Sequence, residues 1–509
     1  MEKTQEESKR SCPGERYEIP VAICNARQAN GYPKCLLCSY YSGTIDEFAS
    51  GDPKIKKNIF RSNIIAGEVP GEINEYVMRK LGSAAGQLLR ARMGSKRTAM
   101  IACDRRENSR NLSRIFGEGM GSAGVRAVHL GPAMPDMLRF AMKKHDTCSA
   151  VFISGCNAAQ EINGIRLIEP DGRPVVFESG IEKIGLIARR MKPGRSASHD
   201  KSKTVRILPD FRDFVLQQSP QLQPLKVVVD GSCGTGGEVL PYVLAKTPLS
   251  VIKSHCQPDP RSELLGLRFP AGQVNNATQQ AIQTNGAHLG MAADYDGDLC
   301  TFYDEEGRAL RSDIAAALIA KEILEIKPGA RIAYDLRSTA AVREEVLRGN
   351  GQPLRTSSGP GPLGETIVAK GAEYAFDING RHCFRAFQGG ESPLLALILL
   401  CSAVLRNQTR LSALSQNIGR YAYSGVIRHE MPSPEKAAAA LEEILDSFTD
   451  CEKDELDGFT FRFPSWWLHV KYLRGSRIIK TCLEGRTEEE EKAGRNRVEE
   501  IIRKYQDRR

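Results

Sequence analysis

Three aspartates fall within five residues of this chain. Asp294, Asp296 and Asp298 surround one glycine in Ala293-Asp-Tyr-Asp-Gly-Asp-Leu299. Carboxylates this close repel one another unless positive charge lies between them. A hard divalent cation such as Mg²⁺, which prefers oxygen ligands, answers that demand. The run Leu289-Gly-Met-Ala-Ala293 is short and apolar and predicts a buried strand that delivers the loop. Cys300-Thr-Phe-Tyr303 predicts a second strand, and Asp304-Glu-Glu-Gly307 a hairpin turn. A calcium EF-hand is excluded, because the distal glutamate and flanking helices are missing. The alternative reading is a solvated acidic turn.

At 509 residues the chain has room for roughly three or four domains. No apolar run reaches the ~18 residues of a spanning helix, and Met1 to Arg10 is charged, without a signal-peptide core. The expectation is a soluble, cytoplasmic protein, monomeric or homodimeric, with no membrane partner. Of 14 cysteines, ten are scattered singly, mostly in apolar strand-like segments, as buried reduced thiols would be. The net charge of +9 comes from dispersed Lys and Arg without a basic stripe, which argues against nucleic acid and suits an anionic substrate such as a phosphate ester.

Residues 1 to 48 stand apart and hold Cys12, Cys24, Cys35 and Cys38. Cys35-Leu-Leu-Cys38 is knuckle-like, but Cys12 and Cys24 are poorly spaced for the second half of a Zn²⁺ site. Zinc and an irregular arm with free thiols are both open. From residue 49 to 217, helix and strand alternate, with strands at Thr98–Ala102, Val125–Leu130 and Ser149–Ile153 and helices at Leu112–Ala123 and Met134–Lys144. Such alternation predicts an α/β fold whose ligands bind where strands end in loops. Residues 193 to 224 read as partly a linker. A second unit, 218 to 311, opens with Leu225–Val229 and the turn Asp230-Gly-Ser-Cys-Gly-Thr-Gly-Gly237, either a phosphate cradle or simply a tight turn. A third, 312 to 410, ends in the apolar helix Leu394–Leu405, and a fourth runs from 411 to 509.

The order of these pieces resembles the α-D-phosphohexomutase family, which includes phosphoglucomutase and phosphomannomutase, over roughly residues 58 to 485. The matches are Phe60-Arg61, Asp104-x-Arg106-x-x-Ser109, Asn157 with Asn163-Gly-Ile-Arg-Leu167, Leu225 to Ser232, and the loop Asp294 to Asp298. The resemblance implies three similar α/β/α domains with mixed sheets and a smaller α+β C-terminal domain around a central cleft. It implies phosphoryl transfer on hexose phosphates through an enzyme phosphoserine, with Mg²⁺ on Asp294, Asp296 and Asp298. Arg106 and Asn157 are carried over as catalytic-loop residues, and the partner is a phosphorylated sugar.

Several loops depart from the family pattern. The family's active loop reads Thr-Ala-Ser-His-Asn-Pro. Aligned here on Ile153-Ser-Gly-Cys-Asn-Ala158, it puts Gly155 in the nucleophile's place, Ser154 one residue early, and one extra residue before Asn163. Ser154 is the loop's only hydroxyl and the candidate catalytic group. Because neighbouring side chains on a strand point oppositely, it is expected to aim away from the aspartates unless a bulge re-aims it. Turnover is accordingly expected to be low, and Ser196-Ala-Ser-His199 is a decoy in the polar stretch. The sugar-selecting loop aligns with Phe376 to His382, leaving His382, with Gly389-Gly-Glu391-Ser392 as a substitute. The phosphate loop becomes Lys471-Tyr-Leu-Arg474-Gly-Ser476. Two functions remain open: an active phosphohexomutase, or an impaired member that binds a phosphosugar or protein partner to regulate or scaffold.

Overall fold

A computed structural model of the chain describes residues 9–11, 18–29, 52–92, 97–147, 149–191, 203–265, 269, 272–473 and 476–506. Three α/β units share one wiring. In the first, Thr98–Cys103 is flanked in parallel by Arg126–Pro132 and Ala150–Ile153, and Ile162–Ile168 returns antiparallel to the latter. In the second, Lys226–Asp230 is flanked by Ser250–Ser254 and Leu289–Ala293, and Cys300–Tyr303 returns. In the third, Arg331–Asp335 is flanked by Gln352–Thr356 and Tyr374–Phe376, and His382–Phe384 returns. Parallel neighbours need long crossovers, whereas the antiparallel return needs only a short loop. That short loop is 154–161 in the first unit, 294–299 in the second and 377–381 in the third. The fourth unit is an antiparallel five-stranded sheet packed against the helices Pro434–Ser447 and Glu488–Gln506.

One apolar core runs through the first three units. Met100 and Phe152 of the first, Val227 and Met291 of the second, and Ile332 and Phe376 of the third belong to it. The helix Pro393–Asn407 lies in this core, with every side chain from Leu394 to Val404 buried. Its hydrophobicity on all sides therefore serves packing. Among the described residues, no single helix is long and apolar enough to cross a membrane.

Two expectations are corrected. The polar stretch read as partly linker contains the helix Leu208–Gln217, whose Phe211 and Val215 are buried and whose Phe214 ring lies tilted against Phe140 at 5.0 Å. Its aromatic spacing, not its polar composition, decided the outcome. The helix Leu411–Ile418, expected to open the fourth unit, buries Leu411, Leu414 and Ile418 in the same core as the third-unit helix residues Ile314 and Leu318. Of the N-terminal cysteines, Cys24 lies buried in the helix Val21–Ala29 and accepts from Gln28 Nε2 at 3.2 Å. Cys12, Cys35 and Cys38, and the decoy Ser196 to His199, lie outside the described residues.

The first and third units are latched by a buried polar pair. Ser392 Oγ donates to Asp136 Oδ2 at 2.8 Å, and both residues are 0 % exposed. Burial pushes the Asp136 carboxyl up to about 7 from an ordinary 3.8; the Ser392 hydroxyl and backbone amides oppose the rise, and the charge of Glu391 adds to it. A carboxyl raised in the folded state stabilises least once it must ionise, so this contribution falls as pH climbs from about 4 to about 7. Asp136→Asn should therefore stabilise the protein more at pH 8 than at pH 5, by on the order of 2 kcal/mol. Chemical denaturation at the two pH values checks this; an equal effect at both would show that Asp136 does not titrate there.

Candidate functional site

The three equivalent return loops meet. Cys300 N, just past the second-unit loop, donates to Gly380 O of the third-unit loop at 2.9 Å. Ser154 Oγ of the first-unit loop donates to Asp296 Oδ2 at 2.6 Å. Its direction is opposite to that expected from the shifted alignment. The reason is strand parity: Phe152 joins the core shared with the second unit, while Val151 and Ile153 join the core under the first unit's own helices. Ser154, two residues beyond Phe152, continues the face turned to the second unit.

The first-unit loop is shaped by residues that the sequence pattern singled out. Arg106 Nη2 donates to the carbonyls of Cys156 and Ala158 at 2.7 and 2.8 Å, and its Nε lies 3.1 Å from Asp104. Asn163, fully buried, donates from Nδ2 to Asn108 Oδ1 at 2.6 Å and to Ser109 Oγ at 2.7 Å. A side chain at Gly155 would collide with the Ile162 carbonyl and the Arg106 guanidinium. Cys156 turns the chain with φ +53°. Ser154 Oγ also accepts from Cys156 N at 2.7 Å, so the hydroxyl is committed on both sides, and Ser154 is 0 % exposed. Cys156 and Asn157 beside it are half-buried.

The aspartate loop is braced from behind by the glycine-rich turn. Ser232 Oγ donates to Ala293 O at 2.6 Å, and any side chain at Gly234 would strike the Tyr295 carbonyl. The turn after Asp230 is thus a support for the loop. Asp294 Oδ1 accepts the amides of Gly297, Asp298 and Leu299 at 2.9, 2.9 and 3.0 Å, which fixes the loop's curvature.

Arg166, on the returning strand of the first unit, bridges the other two aspartates. Its Nη2 lies 2.7 Å from Asp296 Oδ2, its Nη1 pairs with Asp298 Oδ2, and its guanidinium covers the Phe152 ring at 4.9 Å. From the third-unit loop, Arg381 pairs with Asp377 at 3.2 Å and adds its charge near Asp298. Burial opposes ionisation of Asp298, but Arg166 and Arg381 outweigh it and hold this carboxyl below the usual range. Asp294 is pushed well above that range by burial and then by the charges of Asp298 and Asp296. Asp296 is raised to about 7, chiefly by burial, with Arg166 opposing. Arg166 lies within the family match Asn163 to Leu167 and Arg381 within the stretch aligned with the sugar loop, but neither arginine was singled out from the sequence as a site residue.

Among the described residues, no three His, Cys, Asp or Glu side chains are grouped to hold a metal ion. Arg166 joins Asp296 to Asp298, and Asp294 turns one oxygen onto its own loop. The loop nonetheless remains short of positive charge, and Asp296 Oδ1 is buried without a hydrogen-bond partner. Its donor chemistry fits a hard cation, which would compete with Arg166 for Asp296 and Asp298.

The other expected substrate residues are placed differently. His382 is fully buried among Tyr374, Phe302 and their neighbours; its Nδ1 bonds the Tyr374 hydroxyl at 2.6 Å, and burial lowers it to about 4. It is a neutral core histidine because its strand position faces inward. Ser392 caps the helix Pro393–Asn407 and ties Asp136, and Glu391 is buried 4.0 Å from Arg381. In the fourth unit Lys471 pairs with Asp457 at 2.6 Å, and Ser476 Oγ accepts from Ile478 N at 3.2 Å. Arg474 lies outside the described residues. A cleft of 790 Å³ between the first and third units is lined by Ser62, Asn63, Arg173 and Ser358, and Ser358 donates to Asp377 at 3.0 Å. Its size suits a small ligand.

Models of phosphoglucomutase/phosphomannomutase α/β/α domains I, II and III match residues 57–190, 209–307 and 311–421. A phosphomannomutase of Salmonella montevideo is 24 % identical over 446 residues, covering 84 % of this chain and 94 % of the relative. One from Methanocaldococcus jannaschii is 25 % identical over 457 residues, covering 87 % and 96 %. Among solved structures, a phosphoglucomutase/phosphomannomutase family protein from Burkholderia thailandensis superposes with TM-score 0.76 at 19 % identity, covering 89 % of this chain and 97 % of that one. The open form of parafusin from Paramecium gives TM-score 0.69 at 13 % identity, covering 86 % and 93 %.

The Arg166 bridge generates a test. Removing one partner of a buried ion pair leaves charge uncompensated and costs about 3 kcal/mol. Arg166→Met should lower the thermal midpoint, and added Mg²⁺ should restore more stability to the variant than to the native chain. A variant as stable as the native protein and indifferent to Mg²⁺ would show that the guanidinium does not neutralise the loop.

Proposed function

Because the chain belongs to the phosphoglucomutase/phosphomannomutase family, we propose that it is a phosphohexomutase, moving a phosphoryl group between two hydroxyls of a hexose phosphate. The observation that carries this reading is the meeting of three equivalent loops. One brings Ser154 and Cys156, one the acidic cluster, and one Arg381. Arg166 and Arg381, with side chains 19 % and 21 % exposed, offer guanidinium groups suited to phosphate oxygens. For Arg166 to take substrate, it must loosen from Asp296 and Asp298. Asp294, Asp296 and Asp298 would hold Mg²⁺. Bound there, the ion would neutralise charge developing on the transferring phosphoryl group.

One observation favours the second reading, a catalytically impaired phosphosugar binder: Ser154 is fully buried and hydrogen-bonded on both sides of its hydroxyl. A mutase assay on hexose and hexosamine 1-phosphates, with a bisphosphate activator and Mg²⁺, separates the two. Turnover with at least one sugar is expected. Binding without turnover would favour the impaired member, and neither binding nor turnover would remove both readings.

A further inference from the structure

We propose that the phosphoryl acceptor of this protein is the thiol of Cys156, with Ser154 as a positioning residue that holds the thiol's loop against Asp296. This rests on the phosphohexomutase reading and names its covalent step.

Several observations carry it. Ser154 is 0 % exposed, and its hydroxyl donates to Asp296 and accepts from Cys156 N, so its oxygen is committed on both sides. Cys156 is only half-buried, its amide is joined to Asp296 through the Ser154 hydroxyl, and its thiol feels the charges of Arg166, Asp296, Asp298 and Asp294, the groups that define the site. Asp296 is fully buried and keeps Oδ1 without a hydrogen-bond partner, a vacant acceptor in the same cluster. Cys156 turns the loop with a left-handed backbone and is held by Arg106 through its carbonyl at 2.7 Å. The alignment agrees independently. Placing the family nucleophile on Gly155 demands an extra residue before Asn163, whereas placing it one residue later, on Cys156, demands none.

The step balances without a further co-reactant beyond a hexose bisphosphate. Sulfur attacks phosphorus as the thiol proton passes, through water, to the departing sugar oxygen. The S–P bond forms while the P–O bond to the sugar breaks, and the sugar oxygen takes the proton. Thiol and phosphate ester thus become phosphothioester and alcohol, and the reverse step returns the phosphoryl group to the sugar's other hydroxyl. Loss of the thiol proton has to accompany bond formation, since burial pushes the Cys156 thiol up to about 12 and it enters the reaction protonated.

The test incubates the full chain with glucose 1,6-bisphosphate and reads intact mass and the mapped site of phosphate. The expected result is one phosphate on Cys156, lost on iodine treatment, which cleaves S–P and spares O-phosphoserine. Cys156→Ala should lower the adduct at least about a hundredfold while glucose 6-phosphate binding by calorimetry persists. Cys156→Ser should yield an iodine-resistant adduct, and Ser154→Ala should keep the adduct on Cys156 at a reduced rate. An adduct on Ser154, or one that survives in Cys156→Ala, would overturn the proposal. So would mutase turnover by the native chain with no cysteine adduct, although the phosphohexomutase reading would then stand. Absence of both glucose 6-phosphate binding and turnover would remove that reading and this proposal with it.

Discussion

Negative charge shut away from water sets the terms for the rest of this structure. Asp294, Asp296 and Asp298 are 2 %, 0 % and 5 % exposed, with carboxylates that cannot all ionise unaided. Each is answered differently. Asp294 turns one oxygen onto three amides of its own loop. Asp298 is held ionised by Arg166 and Arg381 despite its burial. Asp296 shares Arg166 with it and is left with an empty oxygen. Since Arg166 comes from the first unit and Arg381 from the third, the charge balance of the second unit's loop depends on both neighbours. Domain arrangement and site electrostatics are therefore one problem.

The repeated wiring makes that dependence possible. A short return loop follows the third strand of each unit, at 154–161, 294–299 and 377–381. When units with the same topology share a core, the corresponding loops can be brought to one place by packing alone. Cys300 N to Gly380 O at 2.9 Å joins two of them directly. The shared core through Phe152, Met291 and Phe376 fixes their relative height. Each of those side chains lies within three residues of a return loop, so repacking any of them would be felt at the acidic cluster.

Much of the fold was legible because its signals are local. The apolar run Leu289–Ala293 and the partner Cys300–Tyr303 became strands with the expected bounds, and the all-round apolar helix near Leu394 became core. The site was less legible because its decisive contacts span 130 residues or more in sequence, as from Arg166 to Asp296. No spacing rule reaches so far. Ser154 was misaimed for a more instructive reason. Parity along a strand fixes which residues share a face, but not which face meets the neighbouring unit; Phe152 supplies that reference only once the core is seen. His382 carried a family signal, yet its inward strand position among aromatics made it a core residue.

The first-unit loop separates shape from chemistry. Its shape is set by Gly155, which admits no side chain, by Arg106 on two carbonyls, and by Asn163 anchored to Asn108 and Ser109. None of these contacts involves the side chain of Cys156. A residue at that position can therefore change without unfolding the loop, provided that it tolerates a left-handed backbone. The same scaffold constrains Ser154 far more tightly, since its hydroxyl bonds both the loop and the acidic cluster. The loop therefore constrains its residues unevenly: the buried Ser154 hydroxyl is held on both sides, while the Cys156 side chain takes no part in holding the loop's shape.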